Sequence, residues 1–252
     1  MPATLEVLLT PAEFNLLPQR DLRAAVCVVF DVLRATSTIL TALANGAEAV
    51  VPVAEIEEAL AWRARQSDVL LAGERDGVRI RGALTGGVDF DLGNSPREFT
   101  PERVRGRTIV SSTTNGTRAL RACRGAHRVL VGAFLNLQAC ADWLLAERPA
   151  HLLLVCSGTV EQAAYEDALA AGALCDLVWA AYDGDQVADS ARMVRALYQA
   201  GRTDLLATLL TTRNARRLRA RPELRDDLPF CAQRDLVPFV ADLGPDGAVR
   251  RR

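Results

Sequence analysis

Short apolar runs alternate with amphipathic segments along most of the chain, and this alternation limits the possible folds more than any other feature. A run of four to six apolar residues suits a buried strand, and the amphipathic stretch after it suits a helix that covers the sheet. The pattern predicts an α/β protein with a largely parallel sheet. Strands are expected over Ala25–Phe30, Ala49–Val53, Val69–Ala72, Thr108–Ser111, Val129–Val131 and Leu152–Val155. A helix is expected up to Ala44, stopped by Asn45-Gly46. Others are expected over Ile56–Gln66, Arg118–Cys123, Leu137–Ala146, Tyr165–Ala181, Ser190–Gln199 and Leu205–Thr211. Residues 73–99 are Gly-rich and read as irregular, Leu236–Val240 as a final strand, and residues 244–252 as a frayed tail. Residues 1–252 read as a single domain; the alternative is two closely packed α/β subdomains that meet near Asp183-Gly184-Asp185.

Charge and composition remove several function classes. The formal net charge of −1 gives no basis for a nucleic-acid groove or an anionic membrane surface. All 30 basic residues are Arg, so an enzyme-bound Schiff base, a covalent pyridoxal group and a P-loop lysine are excluded. Aromatic residues make up 5%, which disfavours base-stacking platforms. No apolar run approaches the ~20 residues that cross a bilayer. Met1 to Asn15 carries acids and proline where a signal peptide has a basic then apolar layout, so the expected compartment is the cytoplasm. The six cysteines form no C-x-x-C pair and most lie in apolar runs, the pattern of buried, reduced, structural thiols.

Three segments share one layout, in which an apolar strand ends in a polar loop and a helix begins directly after it. They are Val28 to Ser37, Ile109 to Thr117, and Leu154 to Thr159 leading into Glu166-Asp167. Strand ends form the ligand crevice of open α/β sheets, and helix N-termini attract anions. Thr36, Ser37, Thr113, Thr114, Asn115, Thr117 and Ser157 offer side-chain donors there, although Ser and Thr also cap helices for structural reasons alone. A fourth loop, Asp89 to Pro96, adds Asn94 and Ser95. Asp31 sits at a strand end, paired with Arg34 or acting as metal ligand or nucleophile. Glu74 and Arg75 follow another strand, and Glu166-Asp167 opens a long helix. Adjacent carboxylates at an anion crevice suit Mg²⁺, which takes few protein oxygens and keeps several waters. The Arg-dense stretch Arg213–Arg225 reads as a solvated helix face rather than an anion site.

Other signatures fail. G-x-G-x-x-G, the P-loop and G-x-S-x-G are absent, and His127 and His151 lack the partners of a triad or a metal site. Cys156 heads a loop, but a cysteine phosphatase wants Arg six positions on, where Gln162 stands. A haloacid-dehalogenase phosphatase wants a second Asp two residues after the first, where Leu33 stands, and this favours attack by water.

Taken together, the loops resemble the 2-phosphosulfolactate phosphatase family (the ComB type). The matching blocks are Phe30–Thr38, Gly73–Arg75, Phe90–Pro96, Thr113–Thr117, Cys156–Gly158 and Glu166–Gly172. Asn214, Arg216-Arg217 and Asp227 to Asp235 fit the C-terminal pattern. The resemblance spans about residues 4–240. It implies a three-layer α/β/α fold with a largely parallel or mixed sheet. It also implies a Mg²⁺-dependent hydrolysis of (2R)-2-phospho-3-sulfolactate to 3-sulfolactate and phosphate, a step toward coenzyme M. On the matching blocks, Asp31, Arg34, Glu166 and Asp167 are expected to be catalytic, with Asp31, Glu74, Glu166 and Asp167 as the metal's acids. Thr36, Ser37, Arg75, Asn94, Ser95, Thr113, Thr114, Asn115, Gly116 and Ser157 are expected to bind the anionic substrate. Neither a nucleic acid nor a membrane is expected as partner, and a homodimer suits a cytosolic enzyme of this size. The alternatives are a phosphatase for another phosphorylated 2-hydroxy acid, a non-catalytic anion-binding protein, or a structural protein whose polar loops are merely caps.

Overall fold

Strand β2 (Ala25–Phe30) is apolar and buried at every position, as a strand covered on both faces must be. In the computed structural model, which describes residues 3–182 and 186–252, it pairs in parallel with β8 (His151–Cys156) and β7 (Arg128–Gly132). Strand β1 (Thr4–Leu8) extends this group beyond β8. A second parallel group comprises β3 (Ala49–Val53), β6 (Thr108–Ser112) and β4 (Leu70–Arg75). The hairpin partner β5 (Val78–Arg79) closes its edge. Strands β9 (Ala241–Leu243) and β10 (Val249–Arg251) lie between the groups, giving one ten-stranded mixed sheet in the order β1-β8-β2-β7-β9-β10-β3-β6-β4-β5. The successive pairings of β7 with β9, β9 with β10 and β10 with β3 are all antiparallel. The two parallel groups therefore run in opposite senses.

The period-two alternation of the strands sorts their side chains into two cores. Val26, Val28, Phe30, Leu152, Leu154 and Cys156 face the helices Leu137–Glu147, Tyr165–Tyr182 and Asp189–Gly201. Cys27, Val29, Leu153 and Val155 face the helices Ala35–Ala44 and Gly116–Ala122 on the other side. This is the expected three-layer arrangement. Each fully buried Val or Leu contributes roughly 1.5–3 kcal/mol. The helix Tyr165–Tyr182 is buried at every position from Glu166 to Cys175, and small residues let its neighbours close in. A Cβ at Gly172 would lie 2.0 Å from the Val194 carbonyl oxygen of the helix Asp189–Gly201.

The six central strands and seven helices fall within a few residues of the expected ranges. Three expectations are corrected. Leu236–Val240 is not a strand: Val237, Phe239 and Val240 are buried, but the segment is irregular and contains Pro238, which lacks a ladder donor. Residues 244–252 are not frayed. They turn back at Gly244 and form β10, whose fully buried Val249 lies opposite Leu243 and Val50. Charge pairs hold the ends of this hairpin, Arg250 with Asp246 at 2.8 Å and Arg252 with Asp242 at 3.0 Å. The irregular stretch 73–99 includes the β4–β5 hairpin and the short helix Gly82–Thr85. The boundary expected near Asp183–Asp185 lies outside the described residues. All six cysteines are free and buried, and among the described residues no helix is long and apolar enough to cross a membrane.

Candidate active site

The loops that follow β2, β4, β6 and β8 meet in one crevice of about 430 Å³. They come from both parallel groups, so the crevice is not the carboxyl edge of a single parallel sheet. The contact between groups is made by the helix Gly116–Ala122, which packs against β2, β3 and the helix Ala35–Ala44. Its first residue fits only because it is glycine: a Cβ there would lie 2.7 Å from both Asp31 Oδ2 and Ala35 Cβ.

Asp31 is the centre of this contact. Its Oδ1 accepts from Ala35 N–H at 3.1 Å, and Gly116 N–H also donates to its carboxylate. The N-termini of two helices thus converge on an acid of the protein itself, where an external anion was expected. Asp31 lines the crevice with its carboxyl set deep among protein atoms. Burial pushes its pKa up to about 7, against the lowering pull of the Ala35 N–H; Glu74 and Glu166 raise it further.

Glu166 and Asp167 occupy the first turn of the helix Tyr165–Tyr182 and are almost fully buried. Asp167 accepts from Val32 N–H at 2.9 Å and Gly158 N–H at 3.2 Å, tying the β2 loop to the β8 loop. Burial raises its pKa well above the carboxylate range, and the charges of Asp31 and Glu166 add to this. Burial raises Glu166 too, although Asn214 Nδ2–H donates to its Oε1. None of these three acids forms an ion pair among the described residues. The expected Asp31–Arg34 pair does not form. Arg34, 3% exposed, donates instead to Asp227, which is fully buried, at 2.8 Å, and to the Gly77 carbonyl at 3.0 Å. Glu74 is engaged on both oxygens, by Thr114 N–H and O–H and by Gly77 N–H, and so braces the β4 loop against the β6 loop.

Of the expected site residues, Asp31, Arg34, Glu74, Asn94, Thr114, Asn115, Glu166 and Asp167 line the crevice together. The others do not. Thr36 Oγ1 accepts from Asp31 N–H, Ser37 Oγ donates to the Val32 carbonyl, and Thr113 Oγ1 accepts from Thr117 N–H. These are turn and cap bonds. Ser95 Oγ donates to Asp227 at 2.6 Å. Arg75 is spent on Ser112 and on the Ala54 and Glu74 carbonyls. Gly116 presents its N–H to Asp31, and Ser157 Oγ is buried without a hydrogen-bond partner among the described residues. Cys156 is interior, and burial pushes its thiol far above the range of a nucleophilic thiolate. His151 Nδ1 bonds Thr4 Oγ1 at 2.9 Å across two strands, a structural role.

The far wall was missed. Asn214, Arg217, Leu218 and Arg221 line the crevice from the helix Arg213–Arg219 and the turn after it. The stretch read as solvated is so only in part: Arg216 and Arg219 lie outside the crevice, whereas Arg217 and Arg221 line it together with the acids. The usable signal was the i, i+3, i+4 spacing of Asn214, Arg217 and Leu218, which puts these three on one helix face, while Arg221 follows in the turn.

A hard divalent cation fits the donor chemistry. Buried, mutually repelling carboxylates without ion pairs call for positive charge from outside the chain. Among the described residues no three His, Cys, Asp or Glu side chains form a complete ligand group. Mg²⁺ needs none, because it takes one or two carboxylates and completes its shell with water and substrate phosphate.

A layered α/β fold that gathers acids, amide side chains and arginines from strand-end loops and two helices into one crevice defines an enzyme-type site for a small charged ligand. The family model described as 2-phosphosulpholactate phosphatase matches residues 12–244. A protein of Pseudothermotoga lettingae named "Probable 2-phosphosulfolactate phosphatase" is 41% identical over 226 residues, covering 89% of this chain and 92% of its own. Proteins with the same name from Caldanaerobacter subterraneus and Prochlorococcus marinus are 38% and 42% identical, covering 94% and 84% of this chain and 95% and 86% of theirs. The chain belongs to the 2-phosphosulpholactate phosphatase family and is a phosphoric monoester hydrolase.

Proposed function

We propose that the crevice hydrolyses (2R)-2-phospho-3-sulfolactate to 3-sulfolactate and phosphate with Mg²⁺ as cofactor. The observation that carries this reading is the meeting of Asp31, Glu166 and Asp167, raised acids without ion-pair partners, in a crevice that also holds arginines. One or two of these acids would hold Mg²⁺. When bound, the ion would offset phosphate charge, lower the pKa of a coordinated water and stabilise the leaving alkoxide. Asn94 and Asn115 offer side-chain donors for phosphate oxygens from the crevice wall, which Thr114 shares with its own donors held by Glu74. Arg34, anchored by Asp227 and Gly77, supplies a cation that does not swing away between turnovers. Asp31 is the group that takes a proton from the attacking water, supported by its place at the crevice floor and by Leu33, which leaves no second acid two residues on. Glu74 holds Thr114 in position. Coenzyme M formation as the pathway, a cytoplasmic location and a homodimer belong to the same proposal.

The test is phosphate release from 2-phosphosulfolactate by the purified protein with Mg²⁺ and with EDTA. Release with Mg²⁺ that EDTA abolishes supports the reading. A folded preparation that releases none in Mg²⁺ overturns it.

A further inference from the structure

The crevice is electrostatically divided. Its floor is acidic, with Asp31 after β2 and Glu166 and Asp167 in the first turn of the helix Tyr165–Tyr182, while its far wall carries Arg217 and Arg221. These arginines differ from the others near the site. Arg34 is already paired with Asp227, a carboxylate that Arg97 shares at 3.5 Å, and Arg75 is spent on Ser112 and the Ala54 carbonyl outside the crevice lining. The Arg221 side chain makes one hydrogen bond among the described residues, to the Asp76 carbonyl at 3.2 Å. Arg217 is exposed, lines the crevice, and its side chain has neither hydrogen bond nor ion pair among the described residues. It is held in place from below. Leu218 is buried beside it, and Asn214, one turn earlier on the same face, is fixed by Glu166 and Thr159. A guanidinium with all five donors free, on a face anchored to the acids, is an open seat for a planar or tetrahedral oxyanion.

We infer that Arg217, with Arg221 one turn on, selects the substrate by seating its sulfonate, the acidic group furthest from the phosphate ester. This deepens the proposed function and rests on it. The phosphate must lie over the floor, where the acids are and where they would hold the cation. The carboxylate shares a carbon with the phosphate ester oxygen and stays near it. The sulfonate is one carbon further out, so it alone reaches from the floor toward the far wall. Arg217 is therefore a specificity residue rather than part of the hydrolytic step.

The experiment compares 2-phosphosulfolactate with 2-phospholactate, which differs only in lacking the sulfonate, on the full chain in Mg²⁺. Wild type is expected to prefer the sulfonated ester. R217A is expected to lose about 10- to 100-fold in kcat/KM on that ester, the value of one or two charge-assisted hydrogen bonds. Most of the loss should fall in KM, with 2-phospholactate turned over as before. R216A, on the outward face of the same helix, should leave both substrates unchanged and so separates a local seat from general attraction of anions. Equal loss on both substrates, no loss on either, or an R216A effect as large as that of R217A overturns the inference. Calorimetric binding of 3-sulfolactate against lactate gives a readout independent of turnover. If wild type hydrolyses neither ester, the proposed reaction fails, whereas the seat stands if R217A abolishes a wild-type preference for sulfolactate and falls if it does not.

Discussion

Arg34 shows how far a side chain's role depends on a partner that only the fold supplies. In sequence its nearest acid is Asp31, three residues away. In the structure it pairs with Asp227, 193 residues on, inside the protein. Asp227 also accepts from Ser95, so one buried carboxylate joins the β2 loop, the Asn94 loop and the C-terminal helices. Removing one partner of a buried pair leaves an uncompensated charge and costs about 3–5 kcal/mol. Asp227→Ala should lose that much in denaturant unfolding. The Arg34→Ala, Asp227→Ala double mutant should lose less than the sum of the two singles. Strict additivity would show that the pair does not couple. Asp31, Glu166 and Asp167 were legible because acids beside polar strand-end loops stand out. Arg217 was not, because an arginine facing a crevice and one facing solvent look alike within an Arg-rich segment.

At the scale of elements, legibility followed the number of buried residues each one contributes. Strand β2 buries six residues in a row and was located to the residue. Strands β9 and β10 have three residues each and bury one apiece, so their charged neighbours dominated the reading. Yet these two strands join the two parallel groups. The loops fared unevenly for a related reason. A Ser or Thr after a strand serves equally as cap or ligand, and Thr36, Ser37 and Thr113 proved to be caps or turn bonds. Helix packing carries its own prediction. Gly172→Ala places a methyl 2.0 Å from the Val194 carbonyl oxygen and must push apart the helices Tyr165–Tyr182 and Asp189–Gly201. Overpacking of this kind costs about 1–3 kcal/mol, so thermal unfolding should show a lower Tm. An unchanged Tm would mean that the two helices are not pressed together there.

At the scale of the whole molecule, the site stores repulsion. Asp31, Glu166 and Asp167 all have raised pKa values in the folded protein. A raised acid binds its proton more tightly in the folded than in the unfolded state. Its stabilising contribution is complete below the ordinary carboxylate range and is lost as pH rises through the folded value, about 7 for Asp31. The Tm of the EDTA-treated protein should therefore fall between about pH 4 and pH 7. As pH rises through about 7 Asp31 ionises, and on the proposed function a bound cation would then supply the missing positive charge. Mg²⁺ should then raise Tm more at pH 8 than at pH 5, by mass action on the folded state. Asp31→Asn should flatten the pH dependence. A Tm rise on Mg²⁺ addition that is as large at pH 5 as at pH 8 would contradict this.

The most direct measurement is phosphate released from 2-phosphosulfolactate by wild type and by Asp31→Asn, each in Mg²⁺ and in EDTA. Wild type should turn over only with Mg²⁺, and the variant should fold but lose at least about a hundredfold, the scale of a positioned proton acceptor. Steady release by wild type in EDTA, or by Asp31→Asn at the wild-type rate, would show that the crevice does not work through these acids.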